Sequence, residues 1–269
     1  MVDDFPENFG GAEMVNETVK DHLGLSRILA ASEVITIDKD KTYLLCNTST
    51  MAQKILDEFS EIGNYAILEH DYKIVASRHP WRYQDNIVPE QDKINLDLYR
   101  NAKAIFVQTE DHLNIFNIND IEGNFINLDC SIWSEKELSI LEKYRIEKAD
   151  KTSDFCVVES TNWIKNQAGS EKFLKESKVS YRVLSATTDR ESFIRSMARF
   201  ACLVFFPIAR ESCCRLIVEA KCLGMNVLTT PNSGAWQADW YDMQGMKLIQ
   251  YLRKQSRKNL ELITEVLCK

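Results

Sequence analysis

Short runs of apolar, β-branched and aromatic residues alternate along this chain with longer stretches whose apolar positions recur every three to four residues. The first pattern predicts strands at 34–37, 43–46, 65–68, 104–107 and 125–128, and the second predicts helices at 12–23, 50–59, 94–101, 110–116 and 134–146. A polar segment without periodicity, 147–153, then interrupts the series. Behind it come a strand at 155–159, a helix at 167–176, a strand at 181–184, a helix at 191–200 and an apolar strand at 202–206. A further helix carrying Leu216, Ile217, Ala220 and Leu223 stops at Gly224, a strand follows at 226–229, and the tail 246–269 is helical in pattern. Strands alternating with helices predict α/β layers with parallel sheets. The interruption places a domain junction near residue 150, giving 1–150, 151–245 and a helical tail, 246–269.

Composition narrows the function classes. The chain's 269 residues suffice for two small domains, and a 45% hydrophobic share can fill their cores. Thirty-three basic against 40 acidic residues give a net charge of −7 without a basic stripe, so nucleic acid is not an expected partner. The acidic N-terminus is unlike a secretory signal, and the longest uncharged apolar stretch, 200–209, is too short to span a bilayer. A cytoplasmic protein without a transmembrane segment is expected, with peripheral membrane contact left open. Eight cysteines show no Cys-x-x-Cys and no nearby histidine, so no metal site is expected. Cys46, Cys156 and Cys202 read as buried thiols, whereas Cys213 and Cys214, beside Arg210 and Arg215 at a helix start, are candidates for reactivity.

The most informative segment is 205–224, a strand end, a charged loop and a helix, with Glu211 and Glu219 separated by seven residues. Two ordinary readings exist: Glu219 pairs with Arg215 one turn earlier, and Glu211 sits as an anion near a helix N-terminus. An ionised carboxylate also matches a vicinal diol, two acceptor oxygens to two donors. His70 and Asp71 follow the strand at 65–68 and read either as a surface pair or as an orienting or deprotonating device for a hydroxyl. His79, before Pro80, reads as structural, while Thr109 and Ser131 stand at strand ends where each serves equally as a helix cap.

Glu-x7-Glu followed by a small-residue helix end and a strand resembles retaining glycosyltransferases of the GT-B type, the family 4-like group. Phe9-Gly10-Gly11-Ala12-Glu13 resembles that family's glycine-rich loop between first strand and first helix, although only residues 1–3 remain for the strand before it. The resemblance implies a compact version of two Rossmann-like domains facing a central cleft, with the tail crossing back onto the first domain. It also implies transfer of a sugar from a nucleotide-diphosphate sugar, base unknown, to a hydroxyl of a glycan, lipid or small molecule, with retention, without metal and without a separate cofactor. By the same resemblance Glu219 takes the ribose hydroxyls, Glu211 the donor sugar, and Lys165 the diphosphate. Gly10, Gly11, Arg210, Ser212, Cys213, Cys214 and Arg215 complete the donor site, and His70 with Asp71 faces the acceptor. Gly234-Ala235 resembles the small-residue turn facing the donor. One departure stands out: Ser160 occupies the place where the family carries an arginine five residues before the lysine. Two rival readings stay open, a non-catalytic binding or scaffolding protein on the same fold and a sugar-nucleotide epimerase.

Overall fold

The central strands of the first half are buried on both faces, which explains why they read as nearly continuous apolar runs rather than alternating ones. In the computed structural model, which describes residues 1–4, 10–145, 151–185, 187 and 189–269, the strands of this half form a six-stranded parallel sheet. Its order is β2 (Leu29–Ala30), β1 (Val2–Asp3), β3 (Tyr43–Leu45), β4 (Tyr65–Leu68), β5 (Ile105–Val107) and β6 (Phe125–Asn127). Side chains alternate across the sheet with the two-residue period of a strand. Leu45, Tyr65, Ile67, Ile105 and Val107 join one core with Ile55, Leu56 and Phe59 of α2 (Gln53–Ile62), Leu98 and Tyr99 of α3 (Leu96–Arg100) and Ile115 and Phe116 of α4 (Glu110–Ile118). Leu44, Cys46, Ala66, Leu68 and Phe106 turn the other way, onto Val15 and Val19 of α1 (Gly11–His22) and Ile263 of α9 (Gly245–Cys268).

One expected strand is absent. Residues 34–37 are irregular, and Ile35 is 79% exposed. The partner of β1 is instead Leu29–Ala30, in the register Val2↔Leu29 and Asp3↔Ala30. With only two residues, β1 offers no pairing positions for a longer strand, and β-branched residues without a ladder do not hold strand geometry.

The second half forms a four-stranded parallel sheet, ordered β10 (Asn226–Thr229), β9 (Phe200–Phe205), β7 (Thr152–Val158) and β8 (Tyr181–Leu184). The central strands carry the buried residues Val157 and Val204, which pack with Leu174 of α6 (Gln167–Glu176). The edge strands expose Val183 and Leu228, as sheet edges commonly do. The chain divides between Ile132 and Trp133 into two compact units, with Gln255–Lys269 counted in the first. Helix α5 (Glu135–Tyr144), which a junction near 150 would leave in the first half, belongs to the second unit; of the polar segment itself, residues 147–150 lie outside the described residues. Within the first unit the tail is anchored by Asn259, whose buried side chain donates to the Leu128 carbonyl at 2.9 Å, and by Gln255 to the same oxygen.

Candidate functional site

In the second unit every strand is parallel, so the loops after β7, β8 and β9 leave from one edge of the sheet, where ligands of such sheets bind. The loop after β9 is fixed on two sides. Ile208 N–H donates to the Ile164 carbonyl at 2.9 Å in the turn Trp163–Lys165, and Glu211 N–H donates to the Asn232 carbonyl at 3.0 Å. Gly234 N–H returns to the Glu211 carbonyl at 2.9 Å, and Ala235 N–H to the Cys213 carbonyl at 3.1 Å. The small-residue turn after β10 is thereby stitched to the loop that holds the first glutamate.

This pinning brings Lys165 and Glu211 together: the ammonium donates to Glu211 Oε1 at 2.7 Å. Burial disfavours a lysine charge, but Glu211 outweighs it and lifts the Lys165 ammonium above the ordinary lysine range. Arg210 and Ser212 lie on the same loop, each half-buried. Cys213 and Cys214 are buried, and burial pushes the Cys214 thiol far up, so neither fits the expectation of a reactive thiolate. Cys214 caps α8 (Arg215–Cys222) with φ at 68°, a left-handed conformation that costs a β-carbon-bearing residue about 1–3 kcal/mol.

Glu219, one turn into α8, is only 2% exposed. Two guanidiniums divide its carboxylate: Arg190, from the first turn of α7 (Arg190–Met197), pairs with Oε2, and Arg215 Nε stands 3.7 Å from Oε1. Arg215, expected by resemblance to complete the donor site, has further partners. It pairs with Glu137 of α5, and its guanidinium lies 4.4 Å from the centre of the Trp133 ring. Glu137 in turn completes a capping box with Ser134.

In the first unit the loop after β4 carries a buried polar network. Gly10 precedes α1, and a β-carbon there would meet only the movable carboxylate end of Glu13; Gly11 is exposed and opens the helix, and Phe9 lies outside the described residues. From α1, Asn16 Oδ1 accepts from His70 Nε2 at 2.7 Å, and Gln108 Nε2 donates to His70 Nδ1 at 3.3 Å. His70 is therefore not the surface partner of Asp71. Burial, with Lys73 nearby, lowers its pKa to about 3, which suits a neutral orienting ring and not a proton acceptor near neutrality. Asp71 pairs with Arg78 and with Lys73 at 3.1 Å; burial opposes its charge, but these two cations hold its carboxyl well below the usual range. Thr109 caps α4 by accepting from His112 N–H at 3.1 Å, whereas Ser131 is simply buried.

Sequence reasoning missed three things here. Glu69 is fully buried, paired with Lys73 and accepting from Tyr99 Oη at 2.6 Å. The signal was a lysine inside the apolar run Tyr72–Val75. His112 donates from Nε2 to the Asp71 carbonyl at 2.8 Å, tying α4 to this loop. Arg190 lies just before the helix expected at 191–200 and gave no signal at all.

The His70 environment has a pH consequence. Its pKa is lowered on folding, from about 6.5 unfolded to about 3 folded, so between those values the unfolded chain binds the extra proton. The stability this histidine contributes is complete above about pH 6.5 and falls away as the pH drops toward 3. Denaturant unfolding of His70→Gln should accordingly lose less stability than wild type between pH 7 and 5, a difference of order 1–2 kcal/mol.

Among the described residues, no group of three or more His, Cys, Asp or Glu is arranged to hold a metal ion, and no helix is long and apolar enough to cross a membrane. No protein-family model matches the sequence, and no curated protein matches it. Solved structures do match by shape. Trehalose-6-phosphate synthase OtsA superposes with TM-score 0.55 and 10% identity, covering 87% of this chain and 73% of that one. The UDP-forming α,α-trehalose-phosphate synthase of Burkholderia vietnamiensis gives 0.55 and 9%, covering 86% and 75%. A trehalose-6-phosphate synthase analysed for glycosyl transfer with retention gives 0.51 and 10%, covering 88% and 72%. At such identities the likeness speaks for the fold, and that fold is GT-B, two Rossmann-like α/β units in one chain.

Proposed function

We propose that this protein is a glycosyltransferase that moves a sugar from a nucleotide-diphosphate sugar to an acceptor hydroxyl, with retention and without a metal. The observation that carries the reading is the pairing of Lys165 with Glu211 on loops that leave one sheet edge, with a buried carboxylate eight positions on, at Glu219. In this reading Glu219 accepts the ribose hydroxyls and Glu211 holds the donor sugar. Lys165, with Arg210 and the N–H groups of 212–214, neutralises the charge that develops on the leaving diphosphate. His70, held neutral between Asn16 and Gln108, orients a hydroxyl instead of deprotonating it. The similar structures support the donor class, since one is UDP-forming and another was studied for transfer with retention.

Thermal unfolding against UDP, GDP, ADP and CMP and their sugar conjugates tests the site. A ligand at about 100 times its Kd stabilises by about 2.7 kcal/mol, a shift that a melting curve resolves. Wild type should respond to one base, and Glu219→Ala should lose that response while remaining folded. An unchanged response in the variant removes the ribose role from Glu219. Transfer activity should survive EDTA, and loss restored only by a divalent ion would contradict metal-free transfer.

A further inference from the structure

The two guanidiniums on Glu219 are not equivalent. Arg215 is 9% exposed, shared with Glu137 and stacked on Trp133, so it is built into the unit. Arg190 is 31% exposed, and besides Glu219 it meets the face of Phe193, its guanidinium carbon 5.4 Å from the ring centre. Only Oε2 is held closely, by Arg190, whereas Arg215 Nε stands 3.7 Å from Oε1, so a diol that engages both oxygens of Glu219 meets Arg190, the more exposed and less anchored of the two cations. In the loop after β7, Ser160 stands at the position that the resemblance gives to an arginine, and its hydroxyl is used locally, accepting from Asn162 N–H at 3.2 Å. Helix α7 follows β8, the neighbour of β7 in the parallel sheet, so Arg190 rises from the same edge as Lys165.

Resting on the donor site described under the proposed function, we propose that Arg190 is a displaceable cation. It neutralises Glu219 in the ligand-free chain, releases Oε2 to the ribose hydroxyls of a nucleoside diphosphate, and turns its guanidinium onto the diphosphate in place of the arginine that Ser160 replaces. Charge stays matched throughout. Glu219 keeps Arg215, and the guanidinium that leaves one anion meets another whose paired oxygens can accept its fork of N–H donors.

The test compares each nucleoside diphosphate with its own nucleoside: UDP with uridine, GDP with guanosine and ADP with adenosine. Affinities are measured by ligand-observed NMR and calorimetry on the full chain. In Arg190→Ala the diphosphate should bind at least about tenfold more weakly, while the nucleoside binds as well as or better than to wild type because Glu219 is unguarded. Arg190→Lys should fall between. Equal weakening of both ligands, or tighter diphosphate binding, overturns the proposal, the first marking a structural role and the second a guard that never reaches the diphosphate. If Arg190→Ala does not fold, Arg190→Gln supplies the same neutral comparison. Wild type that binds none of the three diphosphates refutes the donor-site reading itself, an outcome separate from an unchanged ratio in a wild type that does bind.

Discussion

On the proposed function, replacing Lys165 with alanine should lower kcat for sugar transfer by about 10²–10³-fold, because a leaving diphosphate would lose the cation proposed to face its developing charge. The lost interaction strengthens in the transition state, so the effect should fall on kcat more than on the affinity for the intact donor. The fold should survive. Lys165 and Glu211 are 38% and 18% exposed, and partly exposed pairs contribute at most about 1 kcal/mol to stability. Lys165→Arg should restore part of the rate, since it keeps the charge but not the reach and shape of the ammonium. Steady-state kinetics with saturating donor, beside thermal melts, separates these effects; full activity in Lys165→Ala would exclude the diphosphate role.

The largest stability effect is expected in the first unit, at Lys73→Met. Lys73 and Glu69 are both buried, and removing one partner of a buried ion pair leaves the other charge uncompensated, a loss of about 3–5 kcal/mol. Burial already raises the Glu69 carboxyl above its ordinary value, and deleting Lys73 removes the main opposing influence. A folded-state pKa raised above the unfolded one means that protonation favours the native state, so the deficit should shrink as pH falls from 7.5 toward 5. Replacing both members, as Glu69→Leu with Lys73→Met, should be milder than the single change because Glu69 is no longer stranded and Asp71 keeps Arg78. Denaturant midpoints for the two variants across pH distinguish this from a packing defect, which would be independent of pH.

Much of the architecture was legible in the chain. The alternation of apolar runs with helical periodicity placed 65–68, 167–176, 181–184 and 226–229 at the observed bounds of β4, α6, β8 and β10. Gly224, at φ 72°, marks the end of α8 as expected of a glycine stop. These features depend on residues near one another in sequence, and hydrophobic period and backbone preference are both local. The failure at 34–37 has the complementary reason: whether a β-branched run becomes a strand depends on a partner, and the two residues of β1 are taken by Leu29 and Ala30.

The sequence by itself determined the two α/β series, the spacing of Glu211 and Glu219, and the presence of Lys165 and His70 at strand ends. Only the tertiary structure decided what those side chains do. Partners such as Lys165 and Glu211, or His70 with Asn16 and Gln108, are 38–54 positions apart along the chain and meet because parallel strands deliver their following loops to one edge. Burial of Glu219, Glu69 and Lys73 is likewise a property of packing, and it turns solvated charges into groups that must be paired. That requirement drew Arg215 toward Trp133, Glu137 and Glu219, and brought Arg190, silent in the sequence, to the second glutamate.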